Sequence, residues 1–370
     1  MAIHYLLLTL LALYALQTML FRRFGMRGVE YERNLSTGAC FQGDDISLVE
    51  RLENRKWLPV PWIRVESQLP SGLLFHSQAN MEISSGSIYQ NHKSFFSLMP
   101  YTKITRRHAL TCKRRGVFRL ESVTLSNGDL FGVTTFSSKL SFELEVVVYP
   151  KPLAYEDMNL PSHSWQGDVT VKRWIVEDPF LTAGTREYRY GDSMRSVNWN
   201  ATARSGKLQV NRHDYTADHR LYVILNVEDH EGMWDAVNDI ELVEYGISMA
   251  AGLAQHAVAQ GMEVGFAANA GMVHNRAQPI ITEIGGGMPH LTDLYDTMAR
   301  LVVERLLPMH ELLYQLEEQL EERTDIVLLS AYESGKLAEA IASLRMKGHS
   351  VSCIPIENRD AMPGREEQPA

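Results

Sequence analysis

One stretch of the chain, REYRYGDSMRSVNWNATARSGKLQVNRHD from Arg186 to Asp214, is unusually dense in charged and aromatic residues. It contains arginines and aromatic residues at the following positions: Arg186, Arg189, Arg195, Arg204, Arg212, Tyr188, Tyr190 and Trp199. Arginine and tryptophan often carry binding energy at protein interfaces, which makes the stretch a candidate docking surface. The alternative is a salt-bridged structural joint, because most charged surface pairs contribute little more than local structure.

The local pattern of this stretch predicts a strand, a turn, a short helix and a second strand. Gly191 permits the turn, and Asp192 or Ser193 can cap the helix. Apolar residues then follow at helical spacing: Met194, Val197 and Ala201. Gly206 would end the helix, and 208–210 alternates like a strand with one buried side.

Two residues of the predicted helix, Arg195 and Trp199, are four positions apart. At this spacing the guanidinium can lie over the indole, or both side chains can face a partner.

The order R-E-Y-x-x-G-D-x-x-R-x-x-N-W-x-x-x-A-R-x-G-x-L-x-V, present from Arg186 to Val210, resembles the signature of the bacterial domain-of-unknown-function family number 58. Residues 114–118 and 128–132 also resemble short elements of that family, although Leu130 stands where proline is usual. The resemblance implies a membrane segment, a β-rich region, the signature and a von Willebrand factor type A-like α/β domain. It also implies a MoxR-type AAA+ ATPase as partner and an adaptor or chaperone-like role.

The bulk composition favours a multidomain protein that does not coat nucleic acid. A length of 370 residues suits two domains, and the net charge of -9 argues against a general nucleic-acid-binding surface. The three cysteines, Cys40, Cys112 and Cys353, stand far apart in sequence and form no CxxC pair. They therefore predict neither a disulfide framework nor a zinc site, and they fit a reducing compartment.

The N-terminal segment has the composition of a membrane anchor. Residues 3–21 are almost continuously apolar, and a transmembrane helix needs roughly 20 such residues. No lysine or arginine precedes the segment, whereas Arg22, Arg23 and Arg27 follow it. The positive-inside rule then predicts a single-pass protein of the inner (cytoplasmic) membrane with the bulk of the chain in the cytoplasm.

The rest of the chain changes pattern at recognisable points. We expect an anchor over 1–27, a β-sandwich-like domain over 28–150, and the connector with the signature over 151–215. Apolar strands alternate with helical patterns over 216–357, which predicts a parallel sheet covered on both faces. Residues 358–370 are polar and predict a disordered tail. The expected class is therefore α+β multidomain, with an α/β second domain.

A metal site is the main chemical alternative to a docking surface. In a von Willebrand type A-like domain, a D-x-S-x-S turn after the first strand would hold a divalent cation through oxygen ligands. The matching positions here are Asn226, Glu228 and His230, and all three depart from that pattern. Asn226, Glu228 and Asp229 leave at most a degenerate site, which would suit a metal-dependent adhesion or enzymatic domain.

No nucleotide-binding or catalytic motif emerges from the remaining sequence. Gly206-Lys207 and Gly335-Lys336 lack the glycine spacing and the Ser/Thr of a phosphate-binding loop. We therefore predict a non-enzymatic protein-binding adaptor with no cofactor and no metal ligands; a purely structural envelope component without an ATPase partner is the other possibility. The predicted partner-binding residues are Arg186, Arg189, Gly191, Asp192, Arg195, Trp199 and Arg204.

Overall fold

The chain is a mixed α/β protein with two compact units, Met1–Lys151 and Pro152–Ala370. The computed structural model describes residues 2–75, 81–85, 89–129, 132–158, 182–188, 197–213, 220–233, 236–320 and 322–357. The predicted tail, 358–370, lies outside these residues, as does about half of the predicted connector, 151–215.

The first unit begins with helix α1, Ala2–Phe24. Among the described residues it is the one helix long and apolar enough to cross a membrane, which supports a single-pass membrane protein on length and composition. Its C-terminal half contacts the β domain, since the Tyr14 and Thr18 hydroxyls donate to the Asp129 carboxylate over 3.4 and 3.5 Å. Phe21, in the same half of the helix, is buried.

The rest of the first unit is a two-sheet sandwich. Its strands are β1 Val29–Leu35, β2 Ala39–Phe41, β3 Asp45–Asn54, β4 Val60–Pro70, β5 Leu73–Phe75, β6 Met81–Ser85, β7 Tyr89–Leu98, β8 Lys103–Cys112, β9 Gly116–Gly128 and β10 Thr135–Tyr149. One sheet has the order β1-β3-β8-β5 and the other β2-β10-β9-β4-β7-β6. Leu48 and Leu110 of the first sheet share a buried cluster with Leu69 and Leu120 of the second. The two sheets therefore pack face to face, as the turn-rich sequence predicts.

The second unit begins with elements that carry the arginine-rich stretch. They are a 3₁₀ turn Tyr155–Asp157, β11 Thr182–Glu187, α2 Trp199–Ser205 and β12 Gln209–His213. Beyond them lies the α/β part: β13 Arg220–Leu225, α3 Ile240–Ala259, β14 Glu263–Ala268, β15 Ile280–Ile281, α4 Gly287–Arg300, α5 Met309–Gln319, β16 Asp325–Ser330, α6 Gly335–Met346 and β17 Ser350–Pro355.

The sheet of the α/β part has the order β15-β14-β13-β16-β17 and is parallel except for the short edge strand β15. Successive side chains of β13 point to opposite faces. Ile224 belongs to a buried cluster with Leu312 of α5 and Leu337 of α6, whereas Leu225 lies against Gly246 of α3. Helices therefore cover both faces, as expected.

The predicted helices of this part differ from the observed ones mainly at their C-terminal ends. Apolar residues at helical spacing over 291–306 predict one helix there. Helix α4 instead ends at Arg300, because Leu301 turns to an extended conformation and bridges to Met272. Helical spacing of apolar residues over 309–323 likewise predicts a helix, and α5 ends at Gln319.

Candidate functional site

The described part of the arginine-rich stretch is a small antiparallel unit built around Val210. β11 pairs with β12, which sets Arg186 opposite Val210, and Val197 forms an isolated bridge to the same residue. Val197 and Val210 are both buried. Val197 therefore belongs to an extended segment, and the prediction that it lies on a helical face with Met194 is wrong.

Helix α2 begins later than the sequence predicts. Asn198 is its N-cap, with its side-chain oxygen accepting from the Ala201 N–H over 2.9 Å. The expected caps, Asp192 and Ser193, come before the bridge made by Val197, so they cannot start this helix. The predicted end is confirmed, since Gly206 is the C-cap with φ +70°.

Two of the predicted partner-binding side chains are exposed on α2. Trp199 keeps 65% of its surface accessible, and Arg204 is also exposed. Arg186 contributes backbone pairing in β11. Four predicted residues lie outside the described residues: Arg189, Gly191, Asp192 and Arg195. Since α2 starts at Trp199, the expected four-residue helical spacing between Arg195 and Trp199 does not hold.

A second polar site lies at the carboxyl ends of the parallel strands. Asn226 follows β13, and its amide donates to the Ser330 hydroxyl at the end of β16 over 3.0 Å. Its side-chain oxygen accepts from Asn269, which follows β14, and from the Glu228 N–H, each over 3.1 Å. This edge is where open α/β sheets commonly bind ligands, because strand connections leave in opposite directions there. Here hydrogen bonds of Asn226 to Ser330 and Asn269 join the ends of three strands.

Glu228 is the buried charge of this network. One carboxylate oxygen lies 3.3 Å from Arg305 and the other accepts from the Tyr332 hydroxyl, and Glu228 itself is 3% exposed. Burial, followed by the hydrogen bond to Glu228, raises the pKa of Tyr332 above its ordinary value. The carboxylate is thus neutralised within the protein.

Asp229, the next residue in the sequence, has a different role, because its carboxylate holds the following loop in place. One oxygen accepts from the backbone N–H groups of Asn238 and Asp239, and the other pairs with His230. Burial opposes ionisation, but the hydrogen bonds from Asp239, His230 and Asn238 prevail and lower the pKa of Asp229.

The degenerate metal site does not converge on one point. The oxygens of Asn226, Glu228 and Asp229 each serve separate protein partners. Among the described residues, no group of three or more His, Cys, Asp or Glu side chains is arranged to hold a metal ion. The chemistry of these donors suits structural fixation of the loop.

The structure also contains a buried polar cluster in the sandwich that the sequence analysis missed. Glu50 of β3 accepts from the Tyr31 hydroxyl over 2.5 Å, lies 2.9 Å from His108, and lies 3.5 Å from Arg33. All four residues are less than a tenth exposed. His92 of the opposite sheet lines the same cavity of about 10 Å³. Such a network is costly to bury unless each charge keeps its partner.

Acid should destabilise the sandwich through two groups of this cluster. Burial lowers the pKa of His92 from 6.5 to about 4. Despite burial, the hydrogen bonds and charges of His108, Arg33 and Tyr31 lower the pKa of Glu50 from 4.5 to about 2. Below pH 6.5 for His92, and below 4.5 for Glu50, the unfolded chain binds a proton that the folded chain does not. Stability must therefore fall as the pH falls.

We expect the free energy of unfolding to drop by about 1.4 kcal/mol per pH unit for each such proton. The measurement is urea unfolding of the sandwich from pH 7 to pH 4 for the wild type and for His92→Gln. Below pH 6.5, the ordinary pKa of histidine, the free energy of unfolding of the variant should change less steeply with pH than that of the wild type, by about 1.4 kcal/mol per pH unit. Equal slopes would show that His92 does not contribute.

Comparison with known proteins matches one family model to part of the second half of the chain. Residues 184–360 match the model of a family described as "Protein of unknown function DUF58". The match includes the arginine-rich stretch and extends past β17, and it supports assignment to that family, in agreement with the resemblance of the signature. No curated protein matches the chain.

Solved structures resemble part of the chain at low TM-scores. A cohesin module from a family 33 glycoside hydrolase of Clostridium perfringens ATCC13124 is 11% identical, with 32% of this chain and 96% of that chain covered and a TM-score of 0.23. A non-cellulosomal cohesin from Archaeoglobus fulgidus is 11% identical, with coverages of 30% and 90% and a TM-score of 0.22. Part of the Escherichia coli alpha-2-macroglobulin is 12% identical, with coverages of 33% and 23% and a TM-score of 0.25.

Proposed function

We propose that this chain, whose residues 184–360 match the DUF58 family, is a membrane-anchored, non-enzymatic adaptor that binds a MoxR-type AAA+ ATPase. The observation that carries the proposal is the exposure of Trp199, which is 65% accessible at the start of α2. Its sequence neighbour Val197 is buried, so the segment packs one side and leaves the indole outside. A rigidly presented tryptophan is a frequent centre of a protein interface.

The helix that presents Trp199 is held at both ends. Asn198 caps its first turn and Gly206 its last, and Gln209 N–H donates to the Thr202 hydroxyl over 3.0 Å. A side chain on such a preorganised element loses little conformational freedom when a partner binds. The exposed Arg204 adds a cation that can pair with a carboxylate of the partner.

The α/β part supports an adaptor more than an enzyme. We propose that it is a von Willebrand type A-like domain, on the strength of its parallel sheet with one antiparallel edge strand. In such sheets a reaction site would lie at the carboxyl edge. Glu228 at this edge is neutralised by Arg305 and Tyr332, which leaves its carboxylate unsuited to act as a base or a metal ligand.

The proposed membrane anchoring and orientation rest on α1 and on the arginines at its C-terminal end. Arg22 and Arg23 lie in the last turn of the helix, and Arg27 follows it. Positive charge at this end favours the cytoplasmic side. We propose that both units lie in the cytoplasm, where an AAA+ ATPase can reach them.

Capture of the ATPase by the full-length protein in detergent tests this function. Trp199→Ala should weaken binding at least tenfold, because loss of a central tryptophan costs about 2 kcal/mol or more. Arg204→Ala should weaken it less, since an exposed charge pair contributes about 1 kcal/mol or less.

The chain offers a matched control in Trp57, which is 68% exposed in the loop between β3 and β4. Trp57→Ala removes an equally accessible indole outside the proposed surface and should leave capture unchanged. If Trp199→Ala binds like the wild type, or if both variants lose binding equally, α2 is not the docking surface.

A further inference from the structure

Two cysteines that are distant in sequence lie in contact inside the sandwich. Cys40 is in β2 of one sheet, and Cys112 ends β8 of the other. Their Sγ atoms are 3.2 Å apart, with Cys40 8% exposed and Cys112 fully buried. We propose that Cys40 and Cys112 are a redox-active pair that forms a disulfide across the two sheets.

Backbone hydrogen bonds hold the two cysteines in register. The Cys112 carbonyl accepts from the Gly43 N–H over 2.8 Å, and the Cys112 N–H donates to the Asp44 carbonyl over 2.9 Å. Cys40 lies only a few residues before that turn and pairs with Val148 of β10. The proximity of the sulfurs is therefore set by the strands. Closing a disulfide of roughly 2.05 Å needs a side-chain movement of about 1 Å.

The two thiols differ in solvent exposure, and this difference indicates which of them reacts first with an oxidant. Cys40 is the less buried of the two, at 8% exposed against 0% for Cys112. The hydrogen bond between the thiols lowers the pKa of Cys40 and raises that of Cys112. The Cys40 thiolate is therefore the entering nucleophile, because thiolates are the reactive form.

The oxidant in this reaction is a small external disulfide, RSSR. The Cys40 thiolate attacks one sulfur of RSSR, which forms a mixed disulfide and releases one RS⁻. The Cys112 thiolate then attacks the Cys40 sulfur, which closes the protein disulfide and releases the second RS⁻. Two electrons pass from the protein thiols to RSSR, and the two thiol protons end on two RSH. A dithiol reductant attacks the protein disulfide in turn, is itself oxidised to a disulfide, and restores both protein thiols.

The bond would join strands of opposite sheets at the end of the sandwich away from α1. The end of β3 pairs with the start of β1, which follows α1, and Lys103 at the start of β8 pairs with Glu53 at this same end. The other end of β8, which carries Cys112, lies next to Asp45 at the start of β3 and is therefore the end away from α1. A cross-link between residues 72 positions apart restricts the unfolded chain strongly. Oxidation would therefore stabilise the folded sandwich, and reduction would remove this stabilisation.

The test uses the full-length protein with Cys353→Ser, because Cys353 is the third free thiol and is only half-buried. Folded protein is incubated with oxidised glutathione or with dithiothreitol, then unfolded and alkylated, and its peptides are read by mass spectrometry. We expect both thiols to be alkylated after reduction. After oxidation, neither should be alkylated, and the Cys40 and Cys112 peptides should be joined within one chain.

The oxidised form should also unfold at a temperature higher by about 10 °C, and reduction should remove the difference. Cys112→Ser should show no such shift. If that variant does not fold, the peptide linkage in the Cys353→Ser protein still decides the question. Alkylation of both thiols after oxidation, separate glutathione adducts, or links only between chains would overturn the proposal.

Discussion

Replacing Glu50 with glutamine is expected to lower the free energy of unfolding of the sandwich by about 3–5 kcal/mol. The carboxylate is buried between Tyr31, His108 and Arg33. A neutral amide leaves the Arg33 guanidinium, 4% exposed, without its counter-charge inside the sandwich. An uncompensated buried cation costs far more than the loss of one hydrogen bond.

Urea unfolding of the full-length protein in detergent measures this loss, with hydrogen exchange of peptides from β3 and β8 to assign it to the sandwich. Glu32→Gln is the matched control, because Glu32 of β1 pairs with Arg51 of β3 over 3.2 Å, on the strands that carry Arg33 and Glu50 but in solvent. The control should change stability by less than about 0.5 kcal/mol. Similar losses in both variants would contradict a special role for the buried cluster.

The α/β unit was the part of the fold most open to prediction. Its strands are continuous apolar runs bounded by turn residues; one such run predicts a strand over residues 325–330, and β16 spans Asp325–Ser330. Helix α3 likewise starts at Ile240, where the apolar periodicity starts. In a sheet covered on both faces, burial alone fixes which segments are strands, so the sequence pattern is strong.

The sandwich was less predictable because its inward face is not uniformly apolar. Along β3, the apolar residues Ile46, Leu48 and then Val49 show an alternation with imperfect spacing. The strict period of two instead brings Glu50 and then Leu52 inward. A charged residue at an inward position is recognisable only once its partners on other strands are known, and these are set by strand register.

The candidate site shows the same limit. The sequence identifies Trp199 and Arg204, which are exposed on α2, but not the partners that Glu228 requires. Arg305 and Tyr332 are 77 and 104 positions away along the chain. The contact between Cys40 and Cys112 is equally non-local. Local patterns report period and capping, whereas these pairs depend on topology.

Replacing Glu228 with glutamine should lower the free energy of unfolding of the α/β unit by about 2–3 kcal/mol. Glutamine cannot neutralise Arg305, and the Tyr332 hydroxyl loses a charged acceptor. The loss should be smaller than that for Glu50, because the Arg305 side chain is 21% exposed and can turn toward water. Urea unfolding, with hydrogen exchange of peptides from β13 and β16, measures the effect.

A neighbouring surface pair separates this effect from a general response to losing a carboxylate. Glu304 pairs with Arg276 over 3.4 Å, with both side chains more than half exposed, so Glu304→Gln should change stability by less than about 0.5 kcal/mol. Tyr332→Phe removes one hydrogen bond but keeps the ion pair, so it should cost about 1 kcal/mol. The expected order is therefore Glu228→Gln, Tyr332→Phe, Glu304→Gln. If Glu228→Gln is as stable as the surface control, or binds Mg²⁺ or Ca²⁺ less tightly than a wild type that binds it measurably, Glu228 is not a neutralised structural charge and the metal-dependent alternative gains support.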